Sequence, residues 1–374
     1  MALLDLPLFR MPVVQARVLC RASAPFAFDE RGRPTVAAGM VLRGALGMAL
    51  AKATCSPRGF AGSQCEKQRR CQFRDPCRYA LWYKPGLSGT WEDIPPAFRL
   101  DHRGLTARLV QGEFVLPVAV WGERPVAELA GLLGAIGDMG AIGLDASTPD
   151  GLHPQTVRFE VAGVRAETPT TMAAIGSQAA QAWFGVRRAT LVMQTATELP
   201  GAGLHPRIAG DLDPVGLLAA MAVRVGITEA ALRSVGAERC VESAIHDAIG
   251  DLAERHPLRV DAINTVPVQL AQRSTRSGDR IVGGGLIGSL MLSGELGPWA
   301  PLFALAELCG LGRHTSYGLG HCQVLPAVPK AAVAQPQAAL EVELRDRIVD
   351  LHTRTTELLH RYAAPIDLAT SEGT

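Results

Sequence analysis

The residues best suited to chemistry fall into two clusters. Near the C-terminus, Gly310, Gly312, Gly318 and Gly320 frame Arg313, His314, Thr315, Ser316 and Tyr317 in the stretch GLGRHTSYGLG. Glycines let a backbone approach a ligand closely and take up positive φ angles, so their amides can point at phosphate oxygens. Arginine supplies a bidentate phosphate fork, and tyrosine or histidine can stack on a base. The glycine spacing matches neither G-x-x-x-x-G-K-[ST] nor G-x-G-x-x-G. Spacing alone therefore leaves two readings open, a phosphate cradle or a tight turn that needs glycine. A second run, Gly283–Gly285 with Gly288, follows QRSTRSGDR, which carries Arg273, Arg276 and Arg280. Together these stretches suit a basic cleft beside the first loop.

The other cluster is Cys55, Cys65, Cys71 and Cys77, spaced C-x9-C-x5-C-x5-C. Four thiolates suit zinc in a closed tetrahedral site, which can fold a segment too small for its own core. Free thiols, or a cysteine-bound iron–sulfur cluster, are the alternatives. From Lys52 to Lys84 eight basic residues, among them Lys67, Arg69 and Arg70, face only Glu66 and Asp75. A metal-stapled basic finger touching RNA phosphates fits that balance; a purely structural finger is the rival. Cys20, Cys240, Cys309 and Cys322 lie in apolar surroundings and read as core residues.

Elements must position these groups. Val13–Cys20 is rich in β-branched residues and predicts a strand. Val41–Ala53 has apolar residues at helical spacing, and so does Val126–Met139. Phe114–Trp121 and Thr156–Val164 read as strands. That order is close to a ferredoxin-like unit. The later half repeats the theme, with strands at Ala189–Thr195, within residues 259–294 and at His321–Leu325, and helices at Val215–Val225 and Pro301–Leu308.

The expected fold is α+β, with two domains in tandem. Residues 1–185 form the first, carrying the cysteine insertion at 54–85, and residues 186–326 form the second. A Pro/Ala-rich linker then leads to an amphipathic helix over 339–363.

The chain has 374 residues, with Lys+Arg 37 against Asp+Glu 36. Near neutrality excludes a histone-like coating of nucleic acid but allows a local basic patch. No apolar run reaches the roughly 18–20 residues of a membrane span, and the first residues, interrupted by Asp5, Arg10 and Arg17, do not form a signal peptide. A cytoplasmic protein without a membrane partner is expected, its cysteines thiols or metal ligands rather than disulfides.

From Arg273 through GGGLIGSLMLSGEL to GLGRHTSYGLGHCQV, the chain resembles the C-terminal signature of CRISPR-associated RAMP proteins, and most closely the precursor-crRNA-processing endoribonucleases. LRGALG (Leu42–Gly47) and CRYALWYKP (Cys77–Pro85) resemble the same subgroup. The resemblance implies tandem ferredoxin-like domains of the RNA-recognition type. It implies that Gly310–Gly320 grips CRISPR repeat RNA, with Arg43 on the first helix near the strand. It further implies cleavage without metal: the ribose 2′-OH attacks its phosphate, leaving a 2′,3′-cyclic phosphate and a 5′-OH. Such enzymes serve antiviral defence, stay bound to mature crRNA or join other CRISPR effector subunits.

In that subgroup a histidine commonly lies in or near the first helix, and here the helix has none. Histidine suits the proton transfers because it titrates near neutrality. His314, beside Arg313 and Tyr317, is the first candidate. His102, between Arg99 and Arg103, is the second, and His205 in GAGLHPR the third. A non-catalytic RAMP subunit holding crRNA, and a zinc-finger RNA-binding protein unrelated to CRISPR, are the alternative functions.

Overall fold

The structure, a computed structural model, describes residues 3–28, 38–54, 77–83, 96–105, 110–148, 153–198, 212–233, 238–273, 280–312, 315 and 318–327. His314, Tyr317, Arg313, Arg276, Lys67, Arg69, Arg70, Cys55, Cys65, Cys71, His205 and the helix expected over 339–363 lie outside the described residues.

After a short helix α1 (Pro7–Arg10), strand β1 runs Pro12–Ala22. Val14, Ala16, Val18 and Cys20 are buried while Gln15, Arg17 and Arg21 are exposed, the alternation of a sheet with one covered face. Helix α2 (Ala38–Thr54) and the short α3 (Arg78–Tyr83) follow, then β2 (Phe98–Leu100) and β3 (Glu113–Trp121). Helices α4 (Glu123–Ala127) and α5 (Leu129–Ile142) lead to a hairpin of β4 (Leu144–Ser147) and β5 (Pro154–Val157). Strand β6 (Phe159–Ala166), the two-residue β7 (Thr170–Thr171) and α6 (Met172–Ala182) close the first half.

The second half opens with β8 (Arg188–Thr197) and two long helices, α7 (Pro214–Arg233) and α8 (Glu238–Arg255). Strands β9 (Leu258–Arg273) and β10 (Arg280–Gly294) form a long hairpin, followed by α9 (Ala300–Cys309) and β11 (Cys322–Pro326).

The first sheet has the order β2-β3-β1-β6, with β7 also pairing β1, and the second β11-β8-β10-β9. All these pairings are antiparallel. Counting strands within each half gives fourth, first, third, second in both. That is the βαββαβ ferredoxin-like topology occurring twice, so the α+β tandem fold is as expected.

Two expected elements differ in detail. The strand read over Thr156–Val164 is two strands, because residues up to Val157 pair with β4 while Phe159 onward pairs with β1. The helix read over Val126–Met139 is interrupted at Glu128. One apolar core lies beneath the first sheet, with Val18, Leu46, Trp82, Phe98 and Ile136. The other draws on both halves, joining Phe9 and Trp121 to Leu191, Trp299 and Phe303. Met1–Pro326 is one compact unit. Among the described residues no helix is long and apolar enough to cross a membrane.

Candidate functional site

The glycine-rich loop connects α9 to β11. Gly310 ends the helix, its N–H donating to Ala306 O at 2.8 Å. The base of the loop is closed by Leu311 N–H to Gly320 O (2.8 Å) and Gly320 N–H to Ala196 O (2.9 Å). Gly310, Gly312, Gly318 and Gly320 all have positive φ, from 70° to 81°. At Gly320 a Cβ would stand 1.9 Å from Leu311 O, so no side chain fits. At Gly318 it would stand 2.4 Å from His102 Cε1 and 2.9 Å from Gly39 Cα. The loop of the second half is therefore seated on the first half, at the start of α2 and on the segment after β2. The turn requirement accounts for these glycines by itself, whatever the loop also binds.

That segment, Asp101–Leu105, carries a polar seam into the second sheet. Arg103 Nε donates to Asp101 Oδ1 (2.8 Å) and Oδ2 (3.0 Å), and its backbone N–H donates to Oδ1 (3.0 Å). The guanidinium also donates to Gln194 Oε1 on β8, and Gln194 Nε2 donates to Gln323 Oε1 on β11 at 3.3 Å. Beside this chain the rings of His102 and His321 meet edge to face, 5.3 Å apart. His321 Nδ1 lies 3.8 Å from Asp101 Oδ1. Its backbone is held by β8, N–H to Thr195 Oγ1 at 2.9 Å and carbonyl accepting from Gln194 N–H at 2.8 Å. Neither ring nitrogen of His321 has a hydrogen-bond partner among the described residues.

Burial sets the charge state of these groups. His102 is 2% exposed, and burial pushes its pKa down to about 4. Burial likewise holds His321 well below the ordinary histidine range, with the nearby Arg99 charge adding to the effect. Burial alone would raise the Asp101 carboxyl, but the hydrogen bonds and the charge of Arg103 hold it low. Both histidines are thus neutral at pH 7, and Asp101 is ionised.

The candidates fall in separate places. His102 is beneath the loop rather than on an open surface, so proton transfer to a ligand requires Gly318 to move off it. Arg43 is buried, with its guanidinium carbon 4.5 Å from the centre of the Tyr83 ring. One turn along α2, Gly47 makes room for that same ring, which a Cβ would approach to 2.5 Å. Arg273 and Arg280 are cross-strand partners at the last paired position of the β9–β10 hairpin. Cys77 is half-buried just before α3, its carbonyl accepting from Leu81 N–H at 3.0 Å. Cys20, Cys309 and Cys322 are buried, and burial pushes each thiol up to about 12, as core residues should be.

Sequence reasoning did not single out His321, Asp101, Gln194 or Arg224. One signal was available for Arg224, a lone cation in the apolar run MAVRVGI of α7. Its guanidinium donates to Gly310 O (2.7 Å) and Cys309 O (3.2 Å), and to the Thr315 hydroxyl.

Comparison with known proteins finds two family models and several solved structures similar to this chain. A family model described as CRISPR-associated endoribonuclease Cas6 matches residues 164–322. A second model, described as an N-terminal domain, matches residues 11–184. Among solved structures, a Cas6 product complex is 16% identical, covering 85% of this chain and 100% of that one, with a TM-score of 0.44. Thermus thermophilus Cas6 is 15% identical over 84% of this chain and 99% of its own, at 0.41. A partial Cas6-RT-Cas1–Cas2 complex is 12% identical over 99% of this chain and 55% of that one, at 0.46. No curated protein matches. The stretch that matches the model of CRISPR-associated endoribonuclease Cas6, residues 164–322, spans the whole glycine-rich loop.

Proposed function

We propose that this protein binds CRISPR repeat RNA and cleaves precursor crRNA. The observation that carries the reading is the Cas6 family match, because it contains the entire loop that is seated on the first half. In this reading the amides of Gly310–Gly320, with Arg313, Arg273, Arg276 and Arg280, hold phosphates. Lys67, Arg69 and Arg70 extend the contact from a finger stapled by zinc on Cys55, Cys65, Cys71 and Cys77. Arg43 reaches the strand if it leaves the Tyr83 ring.

The reaction needs no metal: the 2′-OH attacks the neighbouring phosphate, and cyclic phosphate and 5′-OH products result. His314 and Tyr317 are the first candidates for the proton transfers. His102 serves only once uncovered. Cations and positioning around the phosphate supply the rest of the barrier lowering.

A second reading, a non-catalytic subunit that holds crRNA, is favoured by the histidine-free α2 and by the burial of His102. Repeat RNA incubated with the purified chain and EDTA separates the two. A discrete product ending in cyclic phosphate, abolished by a 2′-deoxy substitution at the cut, supports the nuclease. Tight binding without cleavage supports the subunit instead. Metal analysis should find about one zinc per chain, lost in Cys71→Ser; a metal-free chain removes the stapled finger from the proposal.

A further inference from the structure

Helix α9 ends where the glycine-rich loop begins, and that end has the wrong polarity for an anion. The last carbonyls of a helix carry the equivalent of about half a negative charge. A phosphate approaching Gly310–Gly320 therefore meets repulsion from Cys309 O and Gly310 O before it gains an amide. Arg224, on α7, binds both carbonyls, at 3.2 and 2.7 Å, and reaches the Thr315 hydroxyl inside the loop.

Two neighbouring acids are engaged elsewhere. Glu307 Oε1 accepts from Val324 N–H at 2.6 Å, and Asp101 is held by Arg103. Burial pushes the Arg224 guanidinium down to about 10, which leaves it protonated at pH 7. Its Nε is buried with no hydrogen-bond partner among the described residues. A residue kept only for packing would avoid that cost.

We propose that Arg224 is a positioning residue whose charge cancels the negative end of α9 and so makes the glycine-rich loop receptive to an RNA phosphate. This rests on the functional reading above. Arg224 does not touch the RNA; it acts through the carbonyls that the RNA would otherwise face. The role depends on charge first and on fork geometry second, which lets a lysine stand in for it.

The test compares wild type, Arg224→Lys and Arg224→Gln, each checked for folding by circular dichroism. Fluorescent repeat RNA is titrated at several KCl concentrations. Arg224→Gln should weaken binding about ten-fold near 0.1 M salt and flatten the salt dependence. Arg224→Lys should recover most of the affinity. Glutamine binding as tightly as wild type, or lysine binding as weakly as glutamine, overturns the charge role.

A wild-type chain indifferent to repeat RNA sinks the functional reading instead. A pyrophosphate titration, read by thermal shift, then decides Arg224 on its own. Stabilisation of wild type and Arg224→Lys but not of Arg224→Gln upholds the inference. Any other pattern, including no stabilisation of wild type, ends it.

Discussion

The two halves share a strand order and differ in their connections. In the first half the link from the second helix to the last strand is an ordinary hairpin, β4–β5. In the second half the same link is the glycine-rich loop. Conversely, the first half's second strand is only Phe98–Leu100, and the polar segment Asp101–Leu105 follows at once. Its counterpart in the second half, β9, is 16 residues long and pairs with β10 from Leu258 to Arg273. Each half keeps its frame and lends one irregular segment to a shared seam. The candidate groups sit where the halves diverge, because connections can change without disturbing the sheets.

The sharpest way to break that comparison is a glycine on each side of it. Gly320→Ala puts a Cβ 1.9 Å from a carbonyl oxygen at a φ of 72°. It should cost about 4 kcal/mol in urea unfolding, strain and overpacking together. Gly134→Ala on α5 meets nothing within 4 Å and should stabilise by up to about 1 kcal/mol. Equal effects from the two would mean that the loop is not seated as described.

Acid should act next. His102 is held near 4 in the folded chain, against about 6.5 when unfolded. The unfolded state thus binds more protons below about pH 6.5, and stability present above that pH is lost as pH falls towards 4. The loss reaches about 3 kcal/mol from His102 alone, and His321 shifts in the same direction. Asp101, held low, adds its loss only at still lower pH. Urea midpoints at pH 7, 6 and 5 should fall for wild type and fall less for His102→Gln; a flat wild-type profile contradicts the buried pair.

The Arg103–Gln194 contact is the polar link between the halves that a double-mutant cycle can weigh. The Arg103 side chain is 37% exposed, so solvent screening keeps its coupling with Gln194 to about 1 kcal/mol. Additive single effects would show that this seam does not join the halves. The smallest effect is expected within the first half. Tyr83→Leu removes the ring under Arg43 and should cost about 0.5 kcal/mol beyond lost apolar burial, measured against the same change in an Arg43→Met background.

Strands β1, β3, β8 and β11 and helices α2, α7 and α9 were legible because each carries a local signal, alternation or helical spacing. Strand β2 is too short to show a period. Helix α6 is Ala- and Gln-rich, so little of its apolar spacing stands out, although Thr171 caps it by accepting from Ala174 N–H. The site was legible in part. GLGRHTSYGLG and His102 between Arg99 and Arg103 were both singled out, but as separate candidates, and nothing in either stretch says that Gly318 rests on His102.

By itself the sequence determined the α+β frame, its repetition and the glycine-rich connection, since periodicity, turn chemistry and the positive φ of glycine act over a few residues. Only the tertiary structure decided which polar groups meet. Asp101 and Arg103 reach Gln194 and His321, and Arg224 reaches Gly310, across separations that leave no periodic trace. Those meetings follow from how two apolar faces pack. The same burial that brings the histidines together strips them of water and holds them neutral.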